Sequence, residues 1–280
     1  MRHRLGFMQG RLVDQVDGKI QCFPGSQWRD EFPAAQQLGL ESMEWTLDAE
    51  GLSENPLCTE GGRLEIRSLS ARCGVQVPSL TGDCFMQQPF WKSGGLELQR
   101  RLNAFDTVIH SAAEFGVRHV VIPLVDNGRL ESREQEGVLL RHLTDRLEVL
   151  RSGKVCIAFE SDFAPPQLAE FIAQLPSDSF GINYDTGNSA SLGYSPREEF
   201  AAYGRRVCNV HIKDRVLGGT TVPLGEGNAD FNAAFESLAV VQYEGNIVLQ
   251  TARAQDRDHA QALGRYADFT RSLMEVYFGP

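Results

Sequence analysis

Four residues with metal-binding side chains lie at the ends of consecutive strand-like segments. They are Glu160 in AFESD, Asp185 in INYDTGN, His211 in NVHIKDR and Gln250 in IVLQTAR. Two carboxylates, an imidazole and an amide, with no thiol, suit one divalent cation: Mn²⁺, Mg²⁺ or Co²⁺, with Zn²⁺ as a further candidate. Such an ion would polarise a carbonyl and stabilise the enediolate that forms when the neighbouring C–H loses its proton.

Each of these residues also has a purely structural interpretation. Asp185 precedes Thr-Gly-Asn and is a natural helix N-cap. Glu160 is compatible with a solvated strand end, and His211 with a buried core histidine. The prediction of a metal site therefore depends on the four residues occurring together on neighbouring strands.

The segments that carry these residues belong to a longer alternation. Eight apolar segments are separated by loops and amphipathic helical patterns, which indicates parallel strands joined by right-handed crossovers. The predicted strands are 4–9, 42–48, 76–83, 119–126, 155–162, 180–187, 207–214 and 246–252. We predict a single domain over residues 1–280, a closed (β/α)₈ TIM barrel, with an open doubly wound sheet as the alternative.

A barrel of this kind places its active site at the C-terminal ends of the strands. This rule brings the four metal-binding candidates to one rim. Glu160 and Lys213 are the predicted catalytic groups. Further residues near strand ends and in the following loops are predicted to bind substrate: Glu44, Asp83, Asn127, Asn188, Arg215, Glu226 and Arg253.

Composition narrows the class of protein. The chain has 280 residues, a net charge of −10 and 42% hydrophobic residues, without the basic face of a nucleic-acid-binding protein. Its six cysteines form no Cys-x-x-Cys pair, and no stretch reaches the roughly 20 apolar residues of a membrane span. We expect a cytoplasmic protein with reduced thiols and a small sugar or polyol substrate, with or without phosphate. Neither nucleic acid nor a membrane is an expected partner, and homo-oligomerisation is left open.

Several motifs resemble those of the xylose isomerase-like TIM-barrel superfamily, in particular its sugar phosphate isomerase/epimerase branch. They are AFESD, INYDTGN, VHIKDR, VPLGEGNADF and GNIVLQTAR, and the resemblance extends over essentially the whole chain. It implies that Glu160, Asp185 and His211 bind one divalent cation and that Glu160 acts as an acid–base group. It also implies a fourth ligand, a glutamate, where this chain has Gln250.

The amide at position 250 changes the expected chemistry. Its oxygen can bind a metal, but an amide is not a Brønsted base, which weakens a two-base epimerisation. Glu160 alone can still move a proton between adjacent carbons on one face of an enediol, and Lys213, Asp214 or Glu226 is left open as a substitute base.

A metal-dependent sugar isomerase or epimerase is therefore the leading prediction. The alternatives are a metal-dependent keto-polyol dehydratase and a catalytically silent sugar- or metal-binding barrel. The AP endonuclease branch of the superfamily is disfavoured, because the chain has only six histidines and a net charge of −10.

Aromatic residues are concentrated in two predicted loops. Phe85, Phe90 and Trp91 follow the third strand, and Phe23 and Trp28 follow the first. They are compatible with a lid over a sugar, with a contact to another subunit, or with packing beneath the loops.

Overall fold

The computed structural model describes residues 3–279 and contains the predicted barrel. Its strands are β1 (Leu5–Met8), β2 (Ser42–Thr46), β3 (Gln76–Thr81), β4 (His119–Leu124), β5 (Cys156–Ser161), β6 (Phe180–Asp185), β7 (Val207–Ile212) and β8 (Ile247–Leu249). All eight pair in parallel with their neighbours in chain order, and β8 pairs with β1. The prediction of a (β/α)₈ barrel is confirmed, and the open sheet is excluded because the strands close.

Helices surround the barrel between the strands. The α-helices are α1 (Glu31–Gln37), α2 (Glu60–Cys73), α3 (Asp83–Gln87), α4 (Gly95–Phe115), α5 (Arg133–Thr144), α6 (Leu147–Gly153), α7 (Pro165–Ala173), α8 (Thr186–Leu192), α9 (Pro196–Tyr203), α10 (Phe231–Val240) and α11 (His259–Phe278). Short 3₁₀ helices lie at Gly25–Arg29, Leu52–Glu54, Pro56–Cys58, Phe90–Lys92, Asp126–Gly128 and Gly204–Arg206. The helical sequence pattern over residues 132–153 forms two helices, α5 and α6, because the helical run is interrupted at Asp145 and Arg146.

The strands are buried on both faces, but the two faces differ in chemistry. Side chains alternate between the faces of a strand, so Asn183 shares a face with Asp185, and Asn209 with His211. These inward-facing residues form hydrogen bonds with one another and with Glu44. The intervening residues of β2, β5, β6 and β7 are apolar or aromatic and form the core beneath the helices: Met43, Trp45, Ile157, Phe159, Ile182, Tyr184, Val210 and Ile212. The barrel therefore has a polar interior below its C-terminal rim.

The loop of residues 9–24, which we call the first loop, is held against the end of β8. Arg253 donates hydrogen bonds to the carbonyl oxygens of Gly10, Val13 and Ile20. From α1, Glu31 accepts from the backbone amide of Gly10 at 2.8 Å. These contacts give an irregular segment a fixed position beside the rim.

The aromatic residues after β3 pack inside the protein. Phe85, Phe90 and Trp91 are 3%, 1% and 2% exposed, and the Trp91 indole donates to the carbonyl oxygen of Gly128 at 3.0 Å. Trp28 is buried as well, with its ring against Trp45. Packing beneath the loops is thus the correct alternative for these residues, because a lid or a subunit contact would expose them. No helix within residues 3–279 has the length and apolar character needed to cross a membrane.

Candidate metal centre

Glu160, Asp185 and His211 meet at the C-terminal rim of the barrel. They lie at or near the ends of β5, β6 and β7, and Asp185 is in register with His211 on the neighbouring strand. One ligand atom from each lies within 4.8 Å of the others, and all three residues are buried. His211 Nδ1 is 3.1 Å from Glu160 Oε2 and 3.9 Å from Asp185 Oδ2. This arrangement can hold a metal ion.

Glu44 fixes the orientation of the His211 ring from inside the barrel. Its Oε1 is 2.7 Å from His211 Nε2, and its Oε2 accepts hydrogen bonds from Ser79 Oγ at 2.7 Å and Asn209 Nδ2 at 2.8 Å. Because Glu44 binds Nε2 from inside the barrel, Nδ1 of His211 faces Glu160 and Asp185. A carboxylate behind a histidine in this way is the usual support for a metal ligand.

The charges around His211 shift the pKa values of the site. Burial alone would lower the pKa of His211, but the charge of Glu44 and the hydrogen bonds that the ring donates to Glu160 and Glu44 raise it to about 10. For Glu160, burial acts to raise the pKa, but the contact with His211 and the charge of Lys213 lower it to about 2. Without metal, an imidazolium therefore lies between two carboxylates.

Two asparagine side chains hold the carboxylate of Glu160. Asn183 Nδ2 donates to Oε2 at 2.8 Å, and Asn188 Nδ2 donates to Oε1 at 2.6 Å. Asn183 is itself oriented by Asn209, which donates to its Oδ1 at 2.9 Å. Both oxygens of Glu160 are thus fixed by groups on β6 and at the start of α8.

Asp185 combines the two interpretations that its sequence allows. Its Oδ1 accepts the backbone amides of Gly187 at 2.9 Å and Asn188 at 2.8 Å, which caps α8. Its Oδ2 faces His211 and accepts from Lys213 Nζ at 2.7 Å. Oδ1 therefore caps the helix, and Oδ2 belongs to the candidate metal-binding cluster of Glu160, Asp185 and His211.

Gln250 follows β8, which lies between β7 and β1 in the barrel. It is 6% exposed, and its Nε2 donates to Gln21 Oε1 at 2.7 Å. Gln21 Nε2 in turn donates to Asp83 Oδ2 at 2.8 Å. The Oε1 atom of Gln250 is buried and has no hydrogen-bond partner among the described residues. Buried acceptors are normally satisfied, so this oxygen fits the role of a metal ligand.

Comparison with known proteins identifies the family. A family model described as xylose isomerase-like TIM barrel matches residues 32–273. The chain belongs to this family. Among relatives, the L-ribulose-5-phosphate 3-epimerase UlaE of Escherichia coli is 24% identical over 270 residues, which cover 89% of this chain and 91% of that protein. The prediction of a sugar isomerase or epimerase is confirmed at the level of this family.

Solved structures share the xylose isomerase-like fold over nearly the whole chain. An L-ribulose 3-epimerase superimposes with a TM-score of 0.75 at 16% identity, covering 99% of this chain and 96% of that one. The IOLI protein, with a bound zinc atom, gives a TM-score of 0.73 at 16% identity and covers 99% and 100% of the two chains.

Several residues predicted to bind substrate in this xylose isomerase-like barrel make internal contacts. Glu44 lies beneath His211 with both oxygens bonded, and Asn188 holds Glu160. Arg253 is bonded to the first loop. These side chains support the site through internal contacts, and their predicted contact with substrate stays a prediction.

The remaining predicted residues lie around the rim. Arg215 NH1 donates to Asn188 Oδ1 at 2.9 Å, and Asp83 accepts from Gln21. Asn127 is exposed and donates to the carbonyl oxygens at positions 86 and 87, and Glu226 is exposed in the loop 223–230. Their predicted contact with substrate stays a prediction.

Sequence reasoning missed three residues that organise the centre. Asn183 and Asn209 each lie two positions before a metal-ligand candidate on the same strand face, and this period-2 spacing was a usable signal. Gln21 carried no such signal, because it lies in an irregular loop 229 positions from Gln250.

Proposed function

We propose that the protein is a divalent-metal-dependent sugar isomerase or epimerase that moves a proton beside a sugar carbonyl. The convergence of Glu160, Asp185 and His211 at the rim carries this proposal. With the Gln250 oxygen, they would hold Mn²⁺, Mg²⁺ or Co²⁺, with Zn²⁺ as a further candidate. When bound, the cation supplies Lewis-acid polarisation of the substrate carbonyl.

Glu160 is the proposed base. Its carboxylate is ionised at neutral pH, so it can accept a proton from the C–H group next to the carbonyl. Asn183 and Asn188 keep its oxygens directed while the proton is transferred. Glu160, whose proton exchanges with solvent while the enediolate is bound, then returns a proton to the adjacent carbon. Transfer of a hydroxyl proton between the two oxygens completes an aldose–ketose isomerisation on one face.

The other candidate bases are less suited to proton transfer. Lys213 donates to Asp185, which supports a positioning role, and both oxygens of Asp214 accept amides of the loop 223–230. Gln250 has no basic group. One-base chemistry is therefore favoured over two-base epimerisation. A dehydratase would begin with the same proton abstraction.

Exchange of carbon-bound hydrogen with solvent tests this proposal. Chelator-stripped protein is assayed in D₂O with a panel of ketoses and their phosphate esters, with and without Mn²⁺. We expect metal-dependent incorporation of deuterium, observed by proton NMR at C1 or C3. The Gln250→Glu variant, which adds a second base, should add inversion at C3.

Other outcomes would separate the alternatives. Loss of water from a substrate, observed by mass spectrometry, would replace isomerisation with dehydration. If metal binds but no ketose or ester exchanges, the protein is a silent barrel and the proposal is wrong.

A further inference from the structure

A substrate phosphate would need positively charged side chains or free backbone amides near the metal centre. In this chain the groups of both kinds that adjoin the centre are bonded internally. We infer that the site takes an unphosphorylated ketose or keto-polyol, in contrast to the phosphate ester named for the relative UlaE. This inference rests on the proposed function and specifies its substrate class.

The two cations that adjoin the metal-binding cluster are already paired. Lys213 Nζ donates to Asp185 Oδ2 at 2.7 Å, and its side chain is 12% exposed. Arg215 donates from Nε and NH2 to the carbonyl oxygen of Gly219 at 3.1 and 2.7 Å, and from NH1 to Asn188. Both side chains already bond to groups that position Asp185 and Glu160, so a phosphate would compete with those groups for the two cations.

The glycine-rich loop after β7 offers no free cluster of amides. Asp214 Oδ2 accepts the amides of Gly225 and Gly227, both at 2.9 Å, and its Oδ1 accepts that of Ala229 at 3.0 Å. A Cβ at position 227 would lie 2.2 Å from Asp214 Oδ1, so glycine is required for this close approach. The carboxylate of Asp214 thus occupies the position that a phosphate would take in an anion-binding loop.

The first amides of α8, directly above the centre, are occupied in the same way by Asp185. On the opposite side of the rim, Arg11 donates to the carbonyl oxygens of Thr251 at 3.0 Å and Ile20 at 2.6 Å. Arg253 likewise binds first-loop carbonyls. Lys19 is exposed on the first loop and is not tied to any described residue by a side-chain contact, so it serves as a control below.

Negative charge at the rim also opposes a phosphate. Asp83 is 6% exposed, and burial followed by the charges of Asp48 and Glu160 raises its pKa to about 7. Carboxylates that oppose one another's ionisation would also repel a phosphate dianion. Carboxylate and amide groups instead suit sugar hydroxyls, which donate hydrogen bonds to them.

Matched substrate pairs test the inference. Mn²⁺-loaded wild-type protein is assayed for deuterium exchange with L-ribulose against L-ribulose 5-phosphate, and with D-fructose against D-fructose 6-phosphate. The phosphate of the ester would compete with charged internal hydrogen bonds, so we expect kcat/KM to favour the free sugar about tenfold or more. Inorganic phosphate should leave the rate unchanged, and Lys19→Ala should leave the preference unchanged.

The outcomes are distinguishable. Equal or faster exchange with an ester, or competition by inorganic phosphate, overturns the inference and leaves the proposed function intact. Loss of an ester's activity in Lys19→Ala would place a phosphate site on the first loop and also overturn it. Absence of exchange with every sugar and ester, despite bound Mn²⁺, overturns the proposed function itself.

Discussion

The candidate metal centre has two sides that are built differently. On the side formed by β5, β6 and β7, His211 is held by Glu44, and both oxygens of Glu160 accept hydrogen bonds from asparagines. On the side formed by β8 and the first loop, the side chain of Gln250 makes a single hydrogen bond, from its Nε2 to Gln21. Its oxygen has no partner within residues 3–279.

On one side the residues are positioned by the barrel strands, and on the other side by a loop. The first side consists of strand residues and their neighbours, whose positions follow from the register of the sheet. The second side depends on a loop, where sequence can vary without changing the barrel. Gln250, at the position where the family resemblance implies a glutamate, lies on this adjustable side. We therefore expect changes on the strand side to have the larger effects.

The largest effect is expected for Glu160→Gln. The substitution keeps the shape of the side chain but removes the proposed base and one charge from the cluster. Hydrogen exchange into a substrate ketose should fall by about 10²- to 10⁴-fold, the usual contribution of a general base. Proton NMR in D₂O measures the rate, and circular dichroism verifies that the barrel remains folded.

Asp162→Asn is the matched control for Glu160→Gln. Asp162 lies two residues further along the chain, is half-buried and is paired with Arg129 outside the cluster. Its substitution should leave exchange unchanged. Comparable losses in the two variants would show that charge near the rim matters in general, and would count against Glu160 as the base.

The second prediction concerns Glu44, which supports His211 from inside the barrel. In Glu44→Gln, the neutral amide no longer balances the charge of His211. Its NH₂ group can instead donate a hydrogen bond to Nε2. The ring proton would then move to Nδ1, the proposed ligand atom. Loss of such a supporting carboxylate usually costs about 10- to 100-fold in metal affinity. Isothermal titration with Mn²⁺ measures the loss, and ¹⁵N NMR of the histidine reports the tautomer. Unchanged affinity with a protonated Nδ1 would exclude Nδ1 as a ligand.

The third prediction follows from the raised pKa of His211. Nδ1 must lose its proton to bind a metal, whereas Glu160 is already ionised. Mn²⁺ affinity should therefore rise about tenfold per pH unit as the pH approaches 10, and then level off. Titrations in buffers of different ionisation enthalpy should show about one proton released per ion. Release of no proton would mean that His211 does not bind the metal.

The stability of the metal-free protein changes with pH in the opposite direction to the Mn²⁺ affinity. In the metal-free protein, the raised pKa means that the folded state binds the His211 proton more tightly than the unfolded chain. This stabilisation is complete below about pH 6.5 and declines as the pH approaches 10. Urea unfolding at several pH values, with chelator present, measures this trend.

The same division explains what the sequence can predict. The eight strands and the residues at their ends followed from local apolar segments, and parallel pairing then placed Glu160, Asp185 and His211 together. The role of Glu44 did not follow, because its partner lies 167 positions away across the barrel interior. Contacts of the first loop were equally out of reach, since loop geometry depends on side chains such as Arg253 that bind its backbone.

The smallest effect is expected for Gln21→Ala, which removes the hydrogen bond that orients the Gln250 amide. The oxygen of Gln250 would then be free to turn away from the centre. Loss of one neutral hydrogen bond should weaken Mn²⁺ binding only about two- to tenfold. Gln15→Ala is the control, because Gln15 is exposed on the same loop and bonds only to the Lys19 carbonyl oxygen. A loss in Gln21→Ala as large as that in Glu44→Gln would mean that the loop side is as firmly organised as the strand side. Equal affinity in Gln21→Ala and Gln15→Ala would instead remove Gln250 from the ligand set, leaving three protein ligands on β5, β6 and β7.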